Sequence, residues 1–171
     1  LLSALLIRGI KESSRVNFAI VVVKLVVVVF FIALAGRHVE PKNWTPFMPF
    51  GFKGVMTAAA IVFLAYVGFD AVSTAAEEAR NPQRDMPIGI MVSLVICTVL
   101  YILVSAVLTG MVPYHRINID APVSDAFKQV GLPWAQFLIS LGALAGITSV
   151  LLVMMLSQPR VLLAIARDGL L

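Results

Sequence analysis

Long apolar runs separated by short polar segments form the hydrophobic pattern of this chain. The runs are continuous and lack the alternation of polar and apolar positions that membrane β-strands show. A run of about 20 apolar residues is long enough to cross a bilayer as an α-helix. The pattern predicts the end of a span at 1–7 and further spans at 17–36, 55–76, 88–112 and 134–156. We therefore predict an all-α transmembrane protein with about four full spans.

The segments between the spans carry signals of their own. Residues 37–53 are rich in proline and aromatic residues, which is typical of a re-entrant or interfacial cover at head-group depth. Asp85 is expected to cap the span at 88–112. A short surface helix is expected at 122–130, started by Asp120. These elements place the polar residues at the two faces of the membrane.

Composition agrees with an integral membrane protein. Of the 171 residues, 60% are hydrophobic and 13% are charged, and the mean hydropathy is +0.99, whereas about a quarter of the residues of a soluble domain are charged. The net charge of +4 comes mostly from basic residues between the spans, where they orient the protein and contact lipid head groups. This charge is therefore no indication of nucleic-acid binding. Because the chain begins at Leu1 without a methionine, we expect it to be a fragment of a longer transporter-like chain.

The second full span carries a glycine and an ionisable residue near its middle, at Gly68 and Asp70. A charge inside hydrocarbon costs at least a few kcal/mol and marks a cavity, a pathway or a strong local partner. A glycine beside it allows a helix to unwind and to expose backbone carbonyls to a ligand. We predict a broken helix that lines a solute site.

Two roles are open for Asp70. It either caps the second half of the broken helix, by accepting the amide of Ser73, or acts directly on solute or protons. In both cases the carbonyls from Phe63 to Val67 become free at the negative, C-terminal end of the first half-helix. That position favours a bound ammonium group.

Lys24 interrupts the apolar run of the first full span. It either extends its ammonium toward an interface or faces the bundle interior, where proton exchange becomes possible. Thr148 and Ser149 lie at intermediate depth in the last span, and a buried ammonium needs hydroxyl or carbonyl acceptors. We predict Lys24, Thr148 and Ser149 as a second constellation, although serine and threonine in membrane helices often bond to their own preceding carbonyls.

Other chemistry has little support in the sequence. There is no glycine-rich phosphate loop, no His/Cys spacing for a metal ion and no nucleophile–base pair, and His38 and His115 both fall in loops. Cys97 is a single cysteine within a span, so no disulfide can form inside the chain. We expect no enzymatic activity and no cofactor.

The segment 68–90, GFDAVSTAAEEARNPQRDMPIGI, closely resembles the cationic amino acid transporter branch of the amino acid–polyamine–organocation superfamily. The segments 11–17 and 157–160 are similar to the same branch, and the resemblance covers the whole chain. It implies the end of the fourth helix and then helices five to eight of a fold with two inverted repeats of five helices. It also implies a plasma-membrane permease whose partners are amino acids, protons and lipids.

The resemblance also implies roles for residues of the broken helix. In this family the unwound sixth helix holds the amino group of the substrate, and the corresponding carbonyls are those of Leu64, Ala65 and Val67. Leu64 stands where a bulky gating aromatic often sits, and Phe63 is the alternative. The full set of predicted substrate-binding residues is Phe63, Leu64, Ala65, Val67, Gly68 and Asp70.

For the second constellation, the resemblance implies proton coupling. Lys24 matches a fifth-helix lysine that, in proton-coupled members, occupies the space of a sodium site in sodium-coupled relatives. Thr148 and Ser149 match the eighth-helix lining of that site. The implied function is proton-coupled amino acid symport by alternating access. An amino acid exchanger, or a channel or non-transporting membrane subunit, stays open as an alternative.

Overall fold

The computed structural model describes residues 10–66, 68, 81–167 and 169. Within them, all regular secondary structure is helical, which confirms the predicted all-α fold. The α-helices, joined by loops and 3-10 turns, are α1 (Ile10–Ala35), α2 (Gly51–Phe63), α3 (Pro82–Met111), α4 (Pro122–Gln129) and α5 (Pro133–Arg167).

Membrane-crossing length is reached in three described stretches. Val16–His38, Pro82–Met111 and Pro133–Arg167 are long and apolar enough to cross a bilayer. The apolar stretch Gly51–Tyr66 is shorter, and the span predicted there continues into residues outside the described part of the chain. The predicted span end at 1–7 also lies outside it. The count of about four full spans therefore stays a prediction.

Helix α3 begins earlier than the sequence indicated. Asn81 occupies the N-cap position and Pro82 follows in the first turn, where the missing amide of proline costs no hydrogen bond. The Asn81 carbonyl accepts the amides of Arg84 at 3.1 Å and Asp85 at 2.8 Å. Asp85 is therefore a residue of the first turn and not the cap, because proline provides the better helix start.

Helix α4 contributes to the core, where a surface helix was expected. Its Phe127 is fully buried and meets the ring of Phe31 edge to face at 5.6 Å. Ala121 occupies the N-cap position with no side-chain hydrogen bond, so Asp120 does not cap the helix as predicted. The apolar face of this short amphipathic helix instead joins the ends of the longer helices. The core residues are Phe31, Ala35, Met111, Val112, Ala126, Phe127, Ala135 and Ile139.

The loop between α1 and α2 lies against the end of α3. The Asn43 side chain donates to the Gly110 carbonyl at 2.7 Å, and the Trp44 indole donates to the Ala106 carbonyl at 3.1 Å. A Cβ added to Gly110 would come within 2.7 Å of Val39, so glycine permits this close approach. The loop thereby satisfies the Gly110 carbonyl, which the end of the helix leaves without a partner in the helix.

Candidate functional site

Lys24 and Ser149 meet between α1 and α5. The Lys24 ammonium donates to the Ser149 hydroxyl at 3.2 Å, and Ser149 is only 2% exposed. The same hydroxyl donates to the Gly146 carbonyl at 2.9 Å. The contact is therefore a short polar chain from ammonium to hydroxyl to carbonyl, set inside an apolar helix pair.

The packing of α1 on α5 positions this contact. Phe30 meets Trp134 with ring centroids 6.0 Å apart, whereas Lys24 meets Ser149, so the helices run antiparallel. Between these contacts a Cβ on Gly142 would lie 2.5 Å from Val27. The small glycine therefore lets the two backbones approach closely, and the Lys24 ammonium is directed across the interface.

Thr148 does not join this contact, in contrast to the prediction. Its hydroxyl donates to the Leu144 carbonyl of its own helix at 2.8 Å, on an exposed face. Neighbouring residues on an α-helix point about 100° apart, so only one of Thr148 and Ser149 can face Lys24. The structure brings together two residues of the predicted constellation, and Thr148 lies outside their hydrogen bond.

The surroundings of Lys24 are otherwise sparse in polar groups. Within the described residues, no carboxylate forms an ion pair with Lys24. The ion pair between Lys42 and Glu40 lies in the loop after α1. Asn17, seven residues earlier on α1, has a buried side-chain oxygen with no hydrogen-bond partner. The spacing of seven residues places Asn17 on the same helix face as Lys24.

The end of α2 forms the second candidate region. Helix α2 ends at Phe63, and Leu64–Tyr66 form a 3-10 turn. Gly68 then adopts φ +116°, a backbone conformation that residues with a Cβ rarely adopt. The α-helical hydrogen bonding of α2 thus ends a few residues before Gly68, the glycine at which the sequence predicts a break.

The predicted substrate-binding residues are described in part. The side chains of Phe63 and Leu64 are 73% and 67% exposed. Ala65 lies in the 3-10 turn, and its carbonyl accepts a hydrogen bond from Tyr101 at 3.4 Å. Val67 and Asp70 lie outside the described residues, so their predicted roles rest on the sequence.

Two tyrosines and a threonine connect the end of α2 to α3. The hydroxyls of Tyr66 and Thr98 lie 3.0 Å apart, and the rings of Tyr66 and Tyr101 meet edge to face at 5.5 Å. Sequence reasoning missed this cluster. The available signal was the spacing of Thr98 and Tyr101, which lie three residues apart in an uncharged span and therefore on one helix face.

Helix α5 contacts both candidate regions. A Cβ added to Gly68 would lie 3.3 Å from the terminal carbon of Met154. Met154 is five residues beyond Ser149, or about 7.5 Å along the helix. The end of α2 and the Lys24–Ser149 contact therefore both lie against α5, at positions five residues apart along that helix.

The comparisons with known proteins identify the family of the chain. A profile of the amino acid permease family matches residues 1–171. The chain is 53% identical, over its whole length, to a methylthioribose transporter of Bacillus subtilis (strain 168), of which it covers 37%. It is 52% identical, over 97% of its length, to the branched-chain amino acid permease BcaP of the same organism, of which it covers 36%.

A plant relative extends the comparison. The chain is 50% identical, over its whole length, to the chloroplastic cationic amino acid transporter 9 of Arabidopsis thaliana, of which it covers 30%. It spans about a third of the length of these relatives. The resemblance to cationic amino acid transporters is confirmed, and the chain is part of an integral membrane protein. With the family profile matched from end to end, the chain belongs to the amino acid permease family.

Proposed function

We propose that the full-length protein carrying this chain transports an amino acid together with a proton, by alternating access. The observation that carries the proposal is the Lys24–Ser149 hydrogen bond between α1 and α5. An ionisable group inside a membrane helix is costly and commonly belongs to an ion or proton pathway. Family membership supports the amino acid substrate, and the half-buried lysine within a membrane-crossing helix supports the coupling ion.

In this proposal the charge of Lys24 controls the contact between α1 and α5. A hydrogen bond from an ammonium is roughly twice as strong as one between neutral groups. Loss of the proton would weaken the bond to Ser149, whose hydroxyl keeps its bond to the Gly146 carbonyl. The two helices would then separate more easily, and each transport cycle would carry one proton.

Helix α5 would pass this change to the substrate site. Gly68 lies against Met154 on the helix that carries Ser149, so a shift of α5 displaces the end of α2. We propose that the substrate's amino group binds the backbone carbonyls near this end and that Asp70 contributes to the same site. The predicted set of Phe63, Leu64, Ala65, Val67, Gly68 and Asp70 remains a proposal.

A second substrate class has a specific observation in its favour. One relative at 53% identity is named a methylthioribose transporter, and such a sugar has hydroxyl groups but no ammonium. Backbone carbonyls accept hydrogen bonds from hydroxyls as well as from ammonium groups. The end of α2 is therefore compatible with both substrates, and the substrate panel must contain both.

The membrane is also part of the proposal. We propose the plasma membrane, although the plant relative is named chloroplastic. Fractionation of cells that express the tagged full-length protein tests this assignment, and recovery in an organelle fraction would contradict it.

Uptake into liposomes tests the function. Liposomes that contain the purified full-length protein are given labelled amino acids and methylthioribose, with and without an inward proton gradient. Lys24→Met is compared with Lys42→Met, a control in which the lost lysine belongs to an exposed loop ion pair. We expect the gradient to stimulate uptake of one amino acid at least tenfold, and only Lys24→Met to abolish the stimulation.

Each other outcome selects an alternative. Uptake that ignores the gradient and requires internal amino acid indicates an exchanger with a structural Lys24. Gradient-driven uptake of methylthioribose alone keeps the coupling and changes the substrate. Uptake that does not saturate indicates a channel, and no uptake of any solute on the panel indicates a non-transporting subunit.

A further inference from the structure

The turn that follows α2 is held by side chains of α3. The Tyr101 hydroxyl donates to the Ala65 carbonyl at 3.4 Å, and the Thr98 and Tyr66 hydroxyls share a hydrogen bond at 3.0 Å. The edge-to-face contact between the rings of Tyr66 and Tyr101 adds a third connection. All of these contacts join the segment Leu64–Tyr66 to one face of α3.

A carbonyl that accepts a side-chain hydrogen bond has a fixed direction. Ala65 is one of the predicted substrate carbonyls, but its oxygen points toward Tyr101 on α3. The bond therefore orients the peptide unit between Ala65 and Tyr66, which follows the unit that carries the Leu64 carbonyl. A binding site gains affinity when its groups are held in the bound geometry before the ligand arrives.

We propose that Tyr101 and Thr98 are positioning residues for substrate binding. They hold the Leu64–Tyr66 turn against α3 through the Ala65 carbonyl, whose second lone pair stays available to the substrate. The inference rests on the proposed function, because it concerns the site that binds the transported solute. It also predicts that the end of α2 moves together with α3.

Conservative variants of the full-length protein test the proposal. Tyr101→Phe removes the hydroxyl and keeps the ring contact, whereas Thr98→Val removes the partner of Tyr66 and keeps the side-chain volume. The matched controls are Tyr114→Phe, in a loop, and Thr109→Val, whose hydroxyl bonds to carbonyls of its own helix. The measurements are the KM and maximal rate of uptake, and hydrogen exchange of the peptide covering residues 61–68.

The expected result is a change in KM. Each of Tyr101→Phe and Thr98→Val raises KM about threefold, and the double variant about tenfold, since a typical net hydrogen bond changes an equilibrium by such factors. The maximal rate stays within about twofold, and amide exchange in the turn becomes several-fold faster. Both controls leave KM and exchange unchanged.

Other results overturn the inference. An unchanged KM, or unchanged exchange in the turn, contradicts the positioning role, and an equal fall in the rate of all variants indicates a general loss of folding. If the unmodified protein takes up no solute, the proposed function fails and so does the transport role of both residues. The exchange measurement then still shows whether they hold the turn.

Discussion

The contact between α1 and α5 is built in two different ways along its length. Near the end of α1, Phe31 belongs to the buried apolar core that also contains Ala135 and Ile139 of α5. Farther back on α1, the helices meet through the hydrogen bond from Lys24 to Ser149. Apolar packing is non-directional and tolerates small movements, whereas a hydrogen bond weakens steeply when its angle or distance changes. The core end is therefore suited to hold the helices together, and the polar contact to open and close.

The same contrast exists in the backbone. At the core end, the loop between α1 and α2 donates hydrogen bonds to carbonyls of α3. At the end of α2 the α-helix gives way to a 3-10 turn and to a glycine with positive φ. Irregular backbone at membrane depth is tolerated where it lines a cavity or is buried in protein. Three substitutions test this division, from the largest expected effect to the smallest.

Removal of the buried Phe127 ring destabilises the core end. Phe127→Ala is expected to lower the free energy of unfolding by about 3–5 kcal/mol, because a buried aromatic side chain is lost and a cavity remains. Thermal unfolding of the full-length protein in detergent measures the change. Phe47→Ala is the matched control, since Phe47 is 85% exposed. Equal destabilisation by the two variants would contradict the assignment of the core.

A substitution at Gly142 forces α1 and α5 apart between the core end and the Lys24–Ser149 contact. Gly142→Ala places a Cβ 2.5 Å from Val27, and overpacking of this kind costs about 1–3 kcal/mol. Gly146→Ala is the control because a Cβ there has nothing within 4 Å, and alanine favours helix by up to about 1 kcal/mol. We expect opposite changes in melting temperature. Only Gly142→Ala should also reduce proton coupling, through the displaced Lys24–Ser149 contact.

Loss of the polar contact itself has the smallest effect on stability. Ser149→Ala is expected to cost about 1 kcal/mol, since hydrogen bonds between membrane helices are measured at about 0.6–2 kcal/mol. Thr148→Val, which loses a bond within its own helix, should not affect coupling. The stoichiometry of protons per solute, measured in liposomes, is the deciding quantity. Equal coupling in the wild type and Ser149→Ala would remove Ser149 from the proposed mechanism.

Local sequence was a good guide to the elements and a poorer guide to their surroundings. The apolar runs predicted the helices because span length depends on composition alone. The glycine at position 68 indicated the end of α2, since backbone freedom is a local property. Phe127 was missed as a core residue, because an amphipathic helix at the membrane surface and one packed on other helices share the same pattern.

The sequence by itself determined an all-α membrane fold and the presence of a lysine within a span, and it indicated the end of α2 near Gly68. The tertiary structure decided that Lys24 faces Ser149 and not Thr148, and that Tyr101 meets the Ala65 carbonyl. These contacts depend on how each helix is rotated about its axis and how it is aligned with a partner, in one case 125 residues away. Side-chain packing over the whole interface sets that rotation, and no single segment of the chain contains it.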